Sequence, residues 1–458
     1  MAAFTTINPT TEAELHRYVW HTPAEVDRMV ARAASAQRAW AQQPLQHRLD
    51  MVRQLGAVLH AHVDQIANII TSEMGKPITQ SRAEAEKCVT VCDYYADYGG
   101  EFLAELPVAT GYTRSSVRFD PLGVILSIMP WNFPFWQFIR FVVPAVAAGN
   151  GVLLKHAPST MGCALLAVEL CHRAGIPEDL VQALIIDIPD VERVIADARV
   201  RAVTFTGSTG GGATVAALAG SYVKKTVLEL GGSDAYIICS DADVEHAARQ
   251  CVASRCINSG QSCIAAKRFI VHASVADAFT EAVIAHMAAQ VVGDPLSPGT
   301  TIGPMARMDL RDTLVDQVRR TVHAGARLVF PRDPLDHGQR RGWFIAPSVL
   351  AGVERTMPAA VEEVFGPVAV IMTAETDHDA VAMANASRFG LGAAVFTADA
   401  SRADAIVAKL DAGNVFVNDY VRSDARMPFG GVKDSGYGRE LGPFGLREFV
   451  NVKSVVTI

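Results

Sequence analysis

The sequence predicts an α/β protein built from two units, each with an open parallel sheet. The chain has 458 residues, half of them hydrophobic, which is too many for one core, so two or three domains are expected. From about residue 123 onward, short β-rich runs alternate with helical stretches, which is typical of βαβ units. No long Gly/Ser-rich or Pro-rich linker divides the chain, so the two units should share a tight interface.

The first predicted element is a helix that begins after Thr22. Thr22 is a suitable N-cap, Pro23 fits the first helical position, and Glu25 lies three residues after the cap, as in a capping box. Residues then recur at near-helical spacing as far as Trp40.

Two series of β-rich runs follow, and each predicts one sheet. The runs of the first series span residues 123–129, 151–155, 181–186, 202–206 and 226–230. Those of the second series span residues 235–239, 268–272, 367–373, 393–397 and 414–418, with helical stretches near 243–257, 275–291, 377–388 and 401–411. The Pro/Gly-rich segment 427–445 is predicted to be an ordered surface loop, and residues 450–458 a terminal strand.

Composition argues against several classes of protein. The formal net charge of −7 does not suit a nucleic-acid partner, which would need clustered Lys and Arg, and it favours small-molecule partners. Prolines and polar side chains interrupt the most apolar stretch, residues 123–154, so a buried core is expected there rather than a membrane span. The N-terminus shows no secretory leader, and the eight cysteines form no Cys-x-x-Cys pair or zinc-finger spacing. We therefore expect a cytoplasmic protein with reduced thiols and no metal site.

The clearest local signal for chemistry is the segment Asn-Ser-Gly-Gln-Ser-Cys, which ends at Cys263 and follows a helical stretch. A cysteine attacks a carbonyl carbon only as the thiolate, so it needs a partly exposed site and a lowered pKa. A lone cysteine is more often a small buried hydrophobe. The polar, glycine-containing approach to Cys263 is poor core material, and it favours the nucleophile.

Two polar residues near predicted strand ends are candidates for the other catalytic roles. Glu229 precedes Leu-Gly-Gly at the end of a β-rich run, where a partly buried carboxylate could act as general base on water. Asn132, in Pro-Trp-Asn-Phe-Pro, could donate its amide to a developing oxyanion. The alternatives are an ordinary strand-end glutamate and a structural asparagine in a Pro-rich loop.

The glycine-rich segment 206–212 lies between a predicted strand and a helical stretch. Its glycines would let the backbone approach a pyrophosphate at a helix N-terminus, which favours an anion. It lacks the G-x-G-x-x-G spacing, so a plain turn is the alternative.

Taken together, these segments resemble the aldehyde dehydrogenase superfamily in order and spacing. Further matches are Ile-Asn-Pro-Thr at 7–10, Lys155, Glu-Glu-Val-Phe-Gly-Pro at 362–367 and Pro-Phe-Gly-Gly-Val-Lys at 428–433. The resemblance covers nearly the whole chain and implies a fold of three parts. These are a Rossmann-like cofactor-binding domain at 1–102 and 122–232, an α/β catalytic domain at 233–433, and a small β extension at 103–121 and 434–458 that bridges a homodimer or homotetramer.

The resemblance also implies a role for each candidate. Cys263 would be the nucleophile, Asn132 and the backbone N–H of Cys263 the oxyanion hole, and Glu229 the base that activates water. The residues at cofactor-contacting positions are Trp131, Lys155, Gly207, Ser208, Gly231, Glu363 and Phe365. The implied reaction is oxidation of an aldehyde to a carboxylic acid, with a thioester on the cysteine and hydride transfer to NAD or NADP.

Two segments resemble the short succinate-semialdehyde dehydrogenases in particular: Leu-Lys-His-Ala-Pro-Ser at 154–159 and Ser-Asp-Ala-Arg at 423–426. A semialdehyde carries a distal carboxylate, which needs a cation or several donors. The resemblance implies Arg140 and Ser423 in that role. Arg140 could equally be structural, paired with an acidic neighbour.

Two positions depart from the family pattern. Ile257 stands where a second pocket arginine is often found, and Arg255 and Arg426 are the candidates to replace it. Pro158 stands where many NAD-preferring relatives have a glutamate that binds the adenine ribose. Without that negative charge a 2′-phosphate is admissible, so use of both NAD and NADP is expected.

Two other functions remain open from the residues alone. In a CoA-acylating semialdehyde dehydrogenase, CoA would take the acyl group, although Glu229 favours water. In a cofactor-free thiol hydrolase, Cys263 would need a histidine partner, and His156 is the nearest candidate.

Overall fold

The computed structural model describes residues 2–331, 333 and 340–458. Its N-terminal part is a β-hairpin followed by four helices: β1 (Ala3–Ile7), β2 (Glu14–Val19), α1 (Pro23–Ala41), α2 (Leu45–Ala61), α3 (Val63–Met74) and α4 (Ile78–Phe102). Helix α1 begins as predicted. The Thr22 hydroxyl accepts from the Glu25 N–H at 3.3 Å, and the Glu25 carboxylate accepts from the Thr22 N–H at 2.6 Å, which completes the capping box.

The first large sheet follows, and it contains every strand predicted in the first series. The elements in chain order are β3 (Leu106–Pro107), β4 (Arg114–Pro121), β5 (Val124–Met129), α5 (Trp136–Ala148), β6 (Gly151–His156), α6 (Met161–Arg173), β7 (Val181–Ala183), α7 (Ile188–Ala196), β8 (Val200–Thr206), α8 (Thr209–Ser221) and β9 (Lys225–Glu229), of which β3 and β4 belong to a separate small sheet. Strands β9, β8, β5, β6 and β7 lie side by side in that order, all parallel. Helix α5 is buried along its whole length, so the apolar stretch 123–154 is core, as expected.

The second large sheet contains the second predicted series. Its elements are β10 (Asp234–Ile238), α9 (Val244–Cys256), β11 (Ala266–His272), α10 (Ala276–Ala288), α11 (Met308–His323), β12 (Arg327–Phe330), β13 (Ser348–Ala351), α12 (Pro358–Val361), β14 (Val368–Ala374), α13 (Asp377–Asn385), β15 (Phe389–Gly390), β16 (Gly392–Phe396), α14 (Ala400–Val407) and β17 (Asn414–Val417). The strand order is β12-β13-β14-β11-β10-β16-β17, and only β12 runs antiparallel to its neighbour. The two α/β units predicted from the sequence are therefore confirmed.

The C-terminal elements are β18 (Val432–Lys433), β19 (Gly436–Tyr437), α15 (Gly442–Arg447) and β20 (Val450–Thr457). Strand β20 pairs antiparallel with β4 along its whole length, which confirms the predicted terminal strand, and β3 completes a small third sheet. The prediction of a surface loop for 427–445 is wrong. Strand β18 pairs with β15, β19 pairs with β9, and several side chains of the segment are buried, because this segment crosses between the two large sheets.

In the part of the chain that the structure describes, no helix has both the length and the apolar character needed to span a membrane.

Candidate active site

One edge of the first sheet collects most of the predicted site residues. Strands β5, β6, β8 and β9 are parallel neighbours, so their carboxyl ends meet at the same edge, where ligands bind in open α/β sheets. The residues at or just beyond these strand ends are Trp131, Asn132, Lys155, Gly207, Ser208, Glu229 and Gly231. The topology therefore assembles side chains that lie up to about a hundred residues apart in sequence.

Cys263 follows a short 3₁₀ turn, Ile257–Gly260, at the end of α9. Asn258 and Ser259 have φ angles of 54° and 53°, an uncommon conformation for non-glycine residues that surrounding contacts must hold. The Asn258 amide supplies such contacts, because it donates to the carbonyl of Asn132 at 2.7 Å and to that of Gln261 at 3.0 Å. The loop before the thiol is thus tied to the predicted oxyanion residue.

Among the eight cysteines, all within the described residues, seven are buried and only Cys263 is partly exposed. It lines a cavity of about 190 Å³. Burial raises the pKa of Cys263 to about 12, and the positive charges of Lys267 and Arg140 oppose that rise. The thiol is therefore protonated at neutral pH in this state, and it would have to lose its proton to act as a nucleophile.

Lys267 connects the nucleophile to a predicted cofactor residue. Its ammonium donates to the carbonyl of Cys263 at 2.6 Å and to that of Ser262 at 3.0 Å, and it lies 3.5 Å from the carboxylate of Glu363. The same carboxylate accepts from the Gly232 N–H at 3.0 Å. A Cβ at Gly231 would lie 2.4 Å from it, so a larger residue there would displace the carboxylate from this position.

Asn132 has a fixed orientation beside the nucleophile loop. Its side-chain N–H donates to the carbonyl of Gln261 at 3.1 Å, and its oxygen accepts from the Gln137 amide at 3.1 Å. An asparagine amide has two N–H donors, so the second can serve an oxyanion.

Glu229 is almost fully buried, and neither of its carboxyl oxygens has a hydrogen-bond partner among the described residues. Burial and the nearby Glu440 carboxyl raise the pKa of Glu229 well above its usual value, while Arg140 and Arg439 oppose the rise. A Cβ at Gly430 would lie 2.7 Å from the Glu229 carboxyl, so that glycine leaves room for it. Glu229 does not line the cavity beside Cys263, and the two side chains are not joined directly in this state.

Arg140 lines the cavity and also pairs with an acidic neighbour. Its guanidinium forms a buried ion pair with Glu440 and lies 5.1 Å from the centre of the Phe429 ring. The structural pairing that the sequence left open is therefore present, and the binding of a substrate carboxylate by Arg140 stays a prediction. The sequence analysis did not identify Glu440 as a site residue, because Glu440 lies in the segment 427–445 that was predicted to be a surface loop.

Neither predicted substitute for the missing pocket arginine lines the cavity, although Ile257 does. Arg255 is fully buried and donates to the carbonyls of Val364 and Gly260, so it is structural. The side chain of Arg426 is 74% exposed and pairs with Asp424.

A lysine that the sequence analysis missed lies in the cavity wall. Lys87 of α4 donates to the Ser423 hydroxyl at 2.7 Å, and its ammonium lies 4.4 Å from the centre of the Trp136 ring. Nothing in the sequence around Lys87 distinguishes it from the other charged residues of a long helix.

The predicted cofactor residues form two groups. Trp131 and Phe365 contact each other edge to face, with ring centres 5.8 Å apart. Ser208 is the N-cap of α8, and its hydroxyl accepts from the Gly211 N–H at 3.2 Å. Lys155 is buried, burial lowers its pKa, and it has no hydrogen bond or ion pair in the described part of the chain. A helix N-terminus and an unpaired buried cation fit a phosphorylated cofactor.

The histidine proposed for a thiol hydrolase does not reach the nucleophile. His156 donates to the carbonyl of Pro134 at 3.2 Å and accepts from the Thr160 hydroxyl at 3.1 Å, and it does not line the cavity. Burial lowers the pKa of His156 to about 4, so it is neutral and structural. The described residues contain no cluster of three His, Cys, Asp or Glu side chains that could hold a metal ion.

A family model described as "Aldehyde dehydrogenase family" matches residues 2–455. The chain therefore belongs to the aldehyde dehydrogenase family, as the resemblance implied.

Two relatives and one solved structure are similar to this chain over nearly its whole length. A succinate semialdehyde dehydrogenase (NAD(P)+) from Escherichia coli (strain K12) is 45% identical over 449 residues, which cover 98% of this chain and 96% of that protein. A succinate-semialdehyde dehydrogenase (NADP(+)) from Mycobacterium tuberculosis (strain ATCC 25618 / H37Rv) is 43% identical, with 98% of each chain covered. The crystal structure of succinic semialdehyde dehydrogenase from Streptococcus pyogenes, in complex with NADP+, superimposes with a TM-score of 0.96 at 36% identity and 99% coverage of both chains. The fold is thus the aldehyde dehydrogenase fold.

Proposed function

We propose that this chain oxidises succinate semialdehyde to succinate through a thioester on Cys263, with NAD or NADP as hydride acceptor. The observation that carries the proposal is one cavity lined by a thiol, by cationic side chains that include Arg140, and by Ser423. A cavity with a nucleophile and separate cationic donors suits an aldehyde that has a carboxylate at its other end. The names of the relatives at 43–45% identity agree with this substrate.

The chain's own residues would hold the cofactor at the edge of the first sheet. Ser208 and the N-terminus of α8 would bind the pyrophosphate. Lys155 would contact the adenosine part of the cofactor, and Glu363 would bind the nicotinamide ribose. When bound, the nicotinamide supplies the hydride acceptor. Pro158 begins the turn Pro158–Thr160 directly after β6 and carries no charge that would repel a 2′-phosphate, so we propose that both NAD and NADP are used.

The catalytic residues would act in sequence. The Cys263 thiol would lose its proton to solvent water. The thiolate, favoured by Lys267 and Arg140, would attack the aldehyde carbon as the C=O π bond breaks, and Asn132 with the Cys263 N–H would donate to the oxygen that gains charge. After oxidation the acyl group remains on the sulfur as a thioester. Glu229 then takes a proton from water, which attacks the thioester and releases the acid. The raised pKa of Glu229 suits a base, because a carboxylate of ordinary pKa accepts protons poorly near neutral pH.

We further propose a cytoplasmic homodimer or homotetramer that assembles through the third sheet. Strands β3 and β20 are its two edges, and apolar side chains such as Val452 and Val456 are exposed on it. An open edge with exposed apolar residues favours pairing with a second copy. Light scattering of the purified protein tests the oligomeric state, and fractionation of expressing cells tests the cytoplasmic location.

Initial rates on a panel of aldehydes with both cofactors test the proposed activity. We expect kcat/KM for succinate semialdehyde to exceed that for butanal, which lacks the carboxylate, by at least about tenfold with NAD and with NADP. Product analysis with and without CoA should give free succinate in both cases. A preference for butanal would contradict the substrate, and succinyl-CoA as product would favour the acylating enzyme. Ester hydrolysis without NAD(P) reduction would overturn the class of reaction.

A further inference from the structure

Four cationic side chains line the cavity that contains Cys263: Lys76, Lys87, Arg140 and Arg422. Three of them are neutralised by a carboxylate of the chain. Lys76 pairs with Glu84, Arg140 pairs with Glu440, and Arg422 lies 2.7 Å from Asp419.

Lys87 differs from these three. In the part of the chain that the structure describes, its ammonium has no carboxylate within ion-pair distance, and its contacts are the neutral Ser423 hydroxyl and the Trp136 ring. The ammonium is partly buried, so water compensates its charge only in part. The cavity therefore carries one uncompensated positive charge, directly beside the serine that the family resemblance assigns to the substrate carboxylate.

We propose that Lys87 is the specificity-determining cation of this enzyme: together with Ser423 it binds the distal carboxylate of an ω-carboxy aldehyde. This role replaces the arginine whose position is taken by Ile257, which lines the same cavity but has no charge. Arg140 is less suited to the role, because Glu440 already compensates its charge. The inference rests on the proposed dehydrogenase activity and identifies the group that selects among its substrates.

The charges around Lys87 agree with this role. Burial and the positive charge of Arg140, on α5, lower the pKa of Lys87 to about 8, while Cys88 and Glu84 of its own helix and Asp424 of the loop between β17 and β18 oppose the decrease. A bound carboxylate stabilises the protonated form. Binding of an anionic substrate should therefore weaken as the pH rises above about 8, whereas binding of an uncharged aldehyde should not.

The test compares Lys87→Met, which removes the charge and keeps the length, with Lys87→Arg, which keeps the charge. Lys409→Met, at an exposed lysine outside the cavity, is the matched control. The readouts are KM for succinate semialdehyde, KM and kcat for butanal, and inhibition of butanal oxidation by succinate. For Lys87→Met we expect KM for succinate semialdehyde and the inhibition constant of succinate to rise by about tenfold or more, with butanal kinetics changed less than about threefold. Lys87→Arg should bind succinate semialdehyde and succinate more tightly than Lys87→Met does, because it keeps the charge, and Lys409→Met should match the wild type.

Two further outcomes separate this inference from the proposed function. The rise of KM for succinate semialdehyde above pH 8 should disappear in Lys87→Met. Equal effects of Lys87→Met on butanal and on the anionic ligands would overturn the role of Lys87 and leave the dehydrogenase intact. If the wild type oxidised butanal but not succinate semialdehyde, the proposed substrate would be wrong. Inhibition by succinate, compared between the wild type and Lys87→Met, would still test whether Lys87 binds a carboxylate.

Discussion

Glu229 and Glu440 are two buried carboxyls, and the positive charge of Arg140 acts on both. Arg140 forms its ion pair with Glu440, and the pKa values of both carboxyls are raised by burial. Two buried carboxyls close together repel each other when both are ionised, and this repulsion favours the protonated form of Glu229, although Arg140 and Arg439 oppose it. A base that begins protonated must lose that proton before it can act. The deacylation rate should therefore increase with pH until Glu229 is ionised.

Replacing Glu229 by glutamine tests this role at the scale of one residue. Glutamine has nearly the shape of the neutral carboxyl, so the fold and the attack by Cys263 should persist, but it cannot accept a proton from water. We expect a rapid burst of about one NAD(P)H per active site, followed by a steady rate lower by on the order of 10²-fold or more. Stopped-flow absorbance measures both phases. An unchanged steady rate, or loss of the burst together with the steady rate, would contradict a role confined to deacylation.

At the scale of elements, the turn after α9 fixes the position of the nucleophile. Gly260 has a φ angle of 76°, and a Cβ there would lie 2.2 Å from the carbonyl carbon of Gly366. Gly366 belongs to the Glu-Glu-Val-Phe-Gly-Pro segment that also carries Glu363. The loop before Cys263 and the segment that carries Glu363 are therefore in close backbone contact, so a larger residue at position 260 would have to displace one of them.

The variant Gly260→Ala should displace this loop. Because misplacement by about 1 Å can cost about 10²-fold in rate, we expect kcat/KM to fall by that order and the melting temperature to decrease. Gly299→Ala is the control, since a Cβ at Gly299 has no neighbour within 4 Å. Steady-state kinetics and thermal unfolding of the two variants make the comparison. Wild-type kinetics in Gly260→Ala would show that the contact does not position the thiol.

For the molecule as a whole, the sequence predicts the features that depend on neighbouring residues, such as strands and helix caps. It does not predict contacts between side chains that are far apart in the chain. The parallel strands and the capping box at Thr22 follow from apolar runs and cap residues close in sequence. The motifs at Cys263, Asn132 and Glu229 resemble the family, and the fold brings Asn132 to the loop of Cys263 as expected. Their catalytic roles, the cofactor positions and the domain boundaries stay predictions.

Lys87 and Glu440 could not be predicted as site residues, and the reason is the same for both. Lys87 comes from α4 and Glu440 from the segment that crosses between the sheets, and each reaches its partner, Ser423 or Arg140, across about 300 residues of chain. A charged residue in a helix, or in a Gly-rich stretch of two-residue strands, gives no local signal of such a contact. The same holds for Arg255 and Arg426, whose nearness to the motifs in sequence suggested a pocket role that their contacts exclude.

The proposed reaction depends on a thioester between the substrate and Cys263, which is hydrolysed by water that Glu229 activates. Intact-protein and peptide mass spectrometry of Glu229→Gln, quenched after mixing with succinate semialdehyde and NADP, tests it most directly. We expect about one succinyl group per chain, carried by the peptide that contains Cys263, and no such group in Cys263→Ala. A succinyl group on another residue, or NADPH formed by Glu229→Gln with Cys263 unmodified throughout, would contradict the account.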